Sequence, residues 1–484
     1  MLFNSFTFLI FFPIVATIYF VIPHRLRWAW LLAASCYFYM AFIPVYILIL
    51  FFTIAIDYVA GILIENAEGR RRKSLLVMSI VANVGVLAVF KYFNFLSGNA
   101  RAVADVFNLP YDFALLDFIL PIGLSFHTFQ AMSYTVEVYR GRQRAERHLG
   151  IYSLYVMFFP QLVAGPIERP QNLLHQFYER HAFDYDRVTN GLRRMAYGLF
   201  LKVVIADRLA GYVNPVYNDA GSYKGLTFVV ATIFFAFQIY CDFAGYSYMA
   251  IGSAEVMGFR LMRNFNRPYL ARSVSEFWGR WHISLSTWFR DYVYIPFGGN
   301  RVSRRRWYLN LLITFFLSGL WHGANWTFVI WGSLNGVYLV ASLIAMQFRE
   351  SIARAARVAA HPRVRAVWGV LFTFALTCLA WVFFRAPSLD DALYIIRATM
   401  TWPIPHDVLP DALRAEGLTK PEVLYSALLV VGLMTFEYIS ERVNFPRLFA
   451  AQPGWLRWSV YYCGCMAIWL LGISSETAFI YFQF

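Results

Sequence analysis

Apolar stretches of about twenty residues recur along the chain, each long enough as a helix to cross roughly 30 Å of hydrocarbon. No other feature of the 484 residues constrains the fold as strongly. Composition agrees, because 59% of residues are hydrophobic and only 14% are charged. That charge is too little to cover a soluble domain of this size. The sequence predicts an all-α, polytopic integral membrane protein. Residues 1–484 read as a single membrane domain, with membrane lipids as its solvent.

Residues 1–21 read as an uncleaved first span, lacking a basic n-region and a small-residue cleavage site. Further spans are expected near 28–40, 44–64, 75–96, 113–134, 195–212 (interrupted by Lys202 and Asp207), 227–257, 308–320, 326–346, 367–384, 423–438 and 456–473. That makes about 11–12 transmembrane helices. Residues 151–167 are apolar but short and end in Ala-Gly-Pro, which suggests a re-entrant or buried hairpin rather than a full crossing. Residues 259–306 are basic and Trp-rich, as amphipathic interfacial helices are.

The formal net charge is +14, yet no nucleic-acid motif accompanies it, and nucleic acid is not expected as a partner. With an outside N-terminus, most basic residues fall on loops of one side, at 25–27, 70–73, 140–194, 260–306, 349–365 and 442–457, and the other side receives only Arg101, Lys224, Arg397, Arg414 and Lys420. This matches the positive-inside rule for a multi-pass protein of the cytoplasmic (inner) membrane. The same loops are open to acidic lipids or a phosphorylated donor. Residues 388–420 form the largest external segment and the expected partner contact. The five cysteines, in apolar segments, show neither zinc spacing nor an extracellular framework, and no metal site is expected.

Residues 273–332 hold two histidines in distinctive company: Phe277-Trp278-Gly279-Arg280-Trp281-His282-Ile283-Ser284-Leu285-Ser286, and Trp321-His322-Gly323. With Tyr294-Ile295-Pro296, Gly298-Gly299-Asn300-Arg301, Leu120-Pro121-Ile122-Gly123, Ala164-Gly165-Pro166-Ile167, Asp242-Phe243-Ala244-Gly245 and the final Phe479-Ile480-Tyr481-Phe482-Gln483-Phe484, the chain resembles the membrane-bound O-acyltransferases. The nearer branch is the bacterial one of the alginate O-acetyltransferases; the D-alanyl-transfer proteins are further off. Gly279 departs from the pattern, standing where a second basic residue is expected beside Arg280. The resemblance implies acyl transfer, with acetyl the expected group, from a cytoplasmic thioester such as acetyl-CoA. The acceptor would be a hydroxyl of an extracytoplasmic polysaccharide, reached directly or through a periplasmic acyl-relay or acetyltransferase protein. No bound cofactor is implied.

Such a reaction needs a base, oxyanion donors and exclusion of water. His322 is the best candidate base, and Trp321 and Trp326 can wall it from water. Asn325, three residues on, shares its face if the helix continues, to orient the ring or donate to the oxyanion. By residues alone, a membrane-buried histidine bonded to a neighbouring helix fits His322 equally well; the resemblance selects catalysis. His282, among Trp278, Trp281 and Trp288, reads by itself as part of an interfacial aromatic belt. The resemblance instead makes it a second active-site histidine that positions or polarises the acyl group. Arg280 and Arg290 are candidates for donor phosphates or for ion pairs with Glu276 and Asp291. Asp242, with Gln238 one turn earlier, either lines a substrate tunnel or ties helices together. His127 reads as structural. No nucleophile elbow, P-loop or dinucleotide fingerprint is present. The rival class is a transporter or scaffold that passes a glycan or acyl carrier without chemistry.

Overall fold

The structure, a computed structural model, describes residues 1–111, 115–116, 121–163, 165–346, 361–400, 419–473 and 479–480. All regular elements among the described residues are helical. Six of these helices are long and apolar enough to cross a membrane: Pro44–Glu65, Gly69–Val106, Leu226–Met257, Trp326–Ile344, Pro362–Arg385 and Lys420–Ser440. Shorter or less apolar helices occupy the described parts of the other expected spans; within 113–134 the described helix starts at Leu124. Their outer faces are apolar. On Lys420–Ser440, Leu424, Leu428 and Val431 are exposed at helical spacing, while Val423, Val430 and Leu433 are buried. A helix with apolar residues on both faces is matched to lipid. The protein is an all-α, multi-pass membrane protein.

The chain divides into two compact units, Met1–Met195 with Tyr246–Arg263, and Ala196–Gly245 with Asn264–Gln483. The first unit holds α1 (Phe6–Val21), α2 (His24–Met40), α3 (Ile47–Glu65) and α4 (Gly69–Leu87). A π-helical turn carries α4 into α5 (Phe93–Val106). α4 starts six residues before the expected span, so the 70–73 basic cluster lies on its first turn. α6 (Leu124–Tyr139) packs against α3 and α4 through a polar seam. Asp57 of α3 accepts from Ser79 (2.6 Å) and Asn83 (2.9 Å) of α4, and His127 of α6 meets Thr53 of α3 at 3.1 Å. Residues 151–167 form, as expected, a short buried pair, α7 (Leu149–Met157) and α8 (Phe159–Leu162). Ala164, Leu120 and residues 113–114 lie outside the described residues. α9 (Pro170–Leu173) and most of α10 (Tyr185–Phe200) complete this unit.

In the second unit, the expected interruption at Lys202 and Asp207 is a π-helical stretch, Leu201–Ala206, running into α11 (Asp207–Asn218). Lys202 Nζ lies 2.9 Å from Asp207 and 2.9 Å from Asp242 of α12 (Leu226–Met257), all three buried. A lone charge there would be strongly destabilising, and the mutual pairing removes that cost. Next come α13 (Val274–Arg280), α14 (Ile283–Phe289), α15 (Arg304–His322), α16 (Trp326–Ile344) and α17 (Pro362–Arg385). α18 (Leu389–Met400), α19 (Lys420–Ser440), α20 (Phe445–Ala450) and α21 (Gly454–Leu471) follow. Residues 401–418, most of the expected external segment, lie outside the described residues. α15 and α16 form a hairpin whose backbones nearly touch. A Cβ on Gly332 would sit 2.4 Å from the Phe315 oxygen and 2.7 Å from Gly319 Cα, so only glycine allows this crossing.

Candidate active site

A break between two short helices creates the first half of the site. Ser273 caps α13 by accepting from the Glu276 N–H at 3.2 Å. The Glu276 carboxylate in turn accepts from the Arg272 N–H and pairs with Arg280 at 2.7 Å. Arg280 also pairs at 2.6 Å with Glu441, the residue that follows Lys420–Ser440. After Arg280 the chain turns, and His282 adopts φ 42°, ψ 54°. That left-handed conformation is rare for a residue with a Cβ, and it persists only where the surroundings enforce it.

Asn264 enforces it. Its backbone oxygen accepts from the Ile283 N–H at 2.9 Å. Its side-chain oxygen accepts from Ser284 Oγ at 3.0 Å and from the Ser284 N–H at 3.4 Å. His282 Nδ1 lies 3.0 Å from the same oxygen. The Ser284 backbone can only donate, which identifies that atom as the acceptor. His282 Nδ1 therefore carries the proton and Nε2 the lone pair. The ring is fully buried, and desolvation holds it well below the usual histidine range, hence neutral at pH 7. This corrects the interfacial-belt reading: Trp281 and Trp288 are buried beside it.

His322 is the last residue of α15. The helix stops because Gly323 is extended, and a Cβ there would lie 2.1 Å from the Phe328 ring. Asn325 therefore does not continue the helical face of His322. Its side chain caps α16 by accepting from the Thr327 N–H at 3.0 Å, and its amide faces the Pro387 carbonyl. Trp326 is half exposed. The rings around the imidazole are instead Trp321 (4.9 Å between centroids), Trp331 (4.8 Å, edge-on) and Phe384 (5.4 Å).

The two histidines converge on this cluster. The His282 ring lies 6.4 Å from that of Trp321. Trp281 packs on Trp381 at 5.1 Å, and Trp381 stacks on Trp331. Beside them is a cavity of about 520 Å³, lined by residues that include Trp278, Ile283, Arg290, Leu311, Phe315 and Ser318. Ile283 follows His282, and Ser318 is one turn before His322. Neither histidine lines the cavity, nor do Asp242, Gln238, Arg280 or Asn325. Arg290 does line it, while paired with Asp291 at 2.8 Å. Gln238 is buried on α12. Asp242 faces Lys202 at 2.9 Å and accepts from the Ile480 N–H at 2.9 Å. No motif marks Asn264, Trp331, Trp381 or Phe384, which reach the site from separate elements. No cluster of metal-ligating side chains occurs among the described residues.

An all-α membrane fold with two buried histidines on a buried aromatic cluster fits the family whose model matches residues 106–384: MBOAT, the membrane-bound O-acyltransferases. The chain belongs to that family and is an O-acyltransferase. It is 41% identical to the probable alginate O-acetylase of Azotobacter vinelandii, over 81% of this chain and 76% of the relative. Its identity to the Pseudomonas aeruginosa protein of the same description is 40%, over 83% and 75%. It is also 35% identical to the peptidoglycan O-acetyltransferase of Helicobacter pylori, over 76% and 72%.

Proposed function

We propose that this acyltransferase takes an acetyl group from a cytoplasmic thioester, acetyl-CoA or a similar donor, and delivers it towards hydroxyls of a polysaccharide outside the inner membrane. Delivery is direct or through a periplasmic partner. His322 is the general base. It accepts the hydroxyl proton as that oxygen attacks the thioester carbonyl, and returns the proton to the departing thiolate. His282 presents its Nε2 side, its Nδ1–H being held by Asn264, and positions the acyl group. The observation that carries this reading is the convergence of both rings on Trp321 within one buried aromatic cluster. Exclusion of water matters because it favours transfer over hydrolysis. The relatives described as O-acetylases support acetyl as the group and a glycan as the acceptor. The test is purified protein with labelled acetyl-CoA and a glycan acceptor. Thioester cleavage coupled to acceptor labelling is expected. An intact thioester beside a translocated glycan would make the protein a carrier instead.

A further inference from the structure

After α21 the chain turns back onto the π-helical stretch that holds Lys202. The Ile473 N–H donates to the Val203 oxygen at 3.0 Å, and Arg208 donates to the Leu471 oxygen at 2.7 Å. Further on, the Ile480 N–H donates to Asp242 Oδ2 at 2.9 Å, while the other oxygen of that carboxylate faces Lys202. Phe479 and Ile480 are both buried. The Phe479 ring lies 5.4 Å from Phe243, the neighbour of Asp242 on α12. Phe243 meets the His282 imidazole at 4.6 Å with the planes at 89°. Phe265 closes another side of Phe243 at 5.0 Å. Asn264 fixes one edge of the imidazole, and Phe243 bounds its face.

We propose that Asp242 is a positioning residue for His282: held by Lys202, which also pairs with Asp207, it anchors the Ile480 amide, which seats Phe479 behind the Phe243 ring that packs on the imidazole. This rests on His282 working at the site, as proposed above. The alternative is an ion cluster that only ties α11 and the π-helical stretch before it to α12. Two facts favour the longer chain of contacts. The carboxylate is shared between a charge and a backbone donor from near the end of the chain. That segment then places an aromatic ring two contacts from the histidine.

The test compares Phe479→Leu, Phe479→Tyr, Asp242→Asn and His282→Ala in purified full-length protein, reading kcat and KM for the thioester. Leucine keeps the bulk and removes the ring; tyrosine restores it. Phe479→Leu is expected to lower kcat roughly 10- to 100-fold with KM unchanged, as misplacement of a reacting group does. Phe479→Tyr is expected to recover most of the loss, and Asp242→Asn to repeat it. Added to His282→Ala, Phe479→Leu should cost nothing more. If Asp242→Asn fails to fold, the Phe479 pair decides alone. Wild-type kcat in Phe479→Leu, a rise in KM alone, or full additivity with His282→Ala would overturn the proposal. Wild-type kcat in His282→Ala would instead overturn the role given to His282, so the two failures are distinguishable.

Discussion

His127 and His322 carry the same signal in the sequence: an imidazole within an apolar run. Their surroundings differ. His127 lies within α6 and meets a threonine hydroxyl of α3, which also carries the Asp57 that binds Ser79 and Asn83. The partners of that seam are polar and come from neighbouring spans, as buried polar groups require. His322 ends its helix, and the rings around it belong to three helices. Ser318, one turn earlier, opens on a cavity. His127 sits inside a polar seam that joins helices, whereas His322 sits at a helix end among aromatic rings. Burial alone does not distinguish the two.

The largest effect that would break this comparison concerns the pair at the site. His282→Ala and His322→Ala should each lower turnover by on the order of 10²- to 10⁴-fold, and the double variant should lose little more, as residues acting as a unit do. Additive activation free energies in single-turnover kinetics would separate the two histidines into independent roles. The seam should behave in the opposite way. Asp57→Ala strands the Ser79 and Asn83 donors and should destabilise the protein by about 1–3 kcal/mol, with the folded fraction retaining wild-type kcat. Thermal melts alongside specific activity read both quantities. Gly323→Ala pushes a methyl into Phe328 and should cost a similar ~1–3 kcal/mol, but here with a fall in kcat because the backbone beside His322 must shift. His127→Leu is the mildest case, an expected loss of roughly 0.6–2 kcal/mol with kcat unchanged. Any larger fall in kcat than in stability would give His127 a part in the reaction. Sidedness has its own test. In a background without native cysteines, Ser303→Cys should resist an impermeant thiol reagent applied outside intact cells, because the basic turn before α15 is expected on the cytoplasmic side.

Much of the fold was legible because lipid leaves the sequence few options. Apolar runs at 44–64, 227–257 and 326–346 became helices nearly within those limits. Lys202 and Asp207 were legible as an interruption, and their physical expression is a π-helical stretch that brings Lys202 to Asp242. The histidines were legible through their motifs. Their immediate partners were not, because contacts in the site join residues distant in the chain. Asn264 lies in an irregular polar stretch with no periodicity to mark its direction. Trp331, Trp381 and Phe384 look like ordinary span residues until α16 and α17 are packed. The face assigned to Asn325 failed for a local reason: Gly323, forced by the Phe328 ring, ends the helix one residue after His322.

The central claim is that His322 takes a proton during transfer. Glutamine at that position keeps the reach and hydrogen-bonding capacity of the side chain but cannot accept a proton at neutral pH. The decisive measurement is acceptor labelling by purified His322→Gln protein supplied with labelled acetyl-CoA. The account predicts a variant that melts like wild type, binds the donor and leaves the acceptor unlabelled. Near wild-type labelling by that folded variant would contradict it.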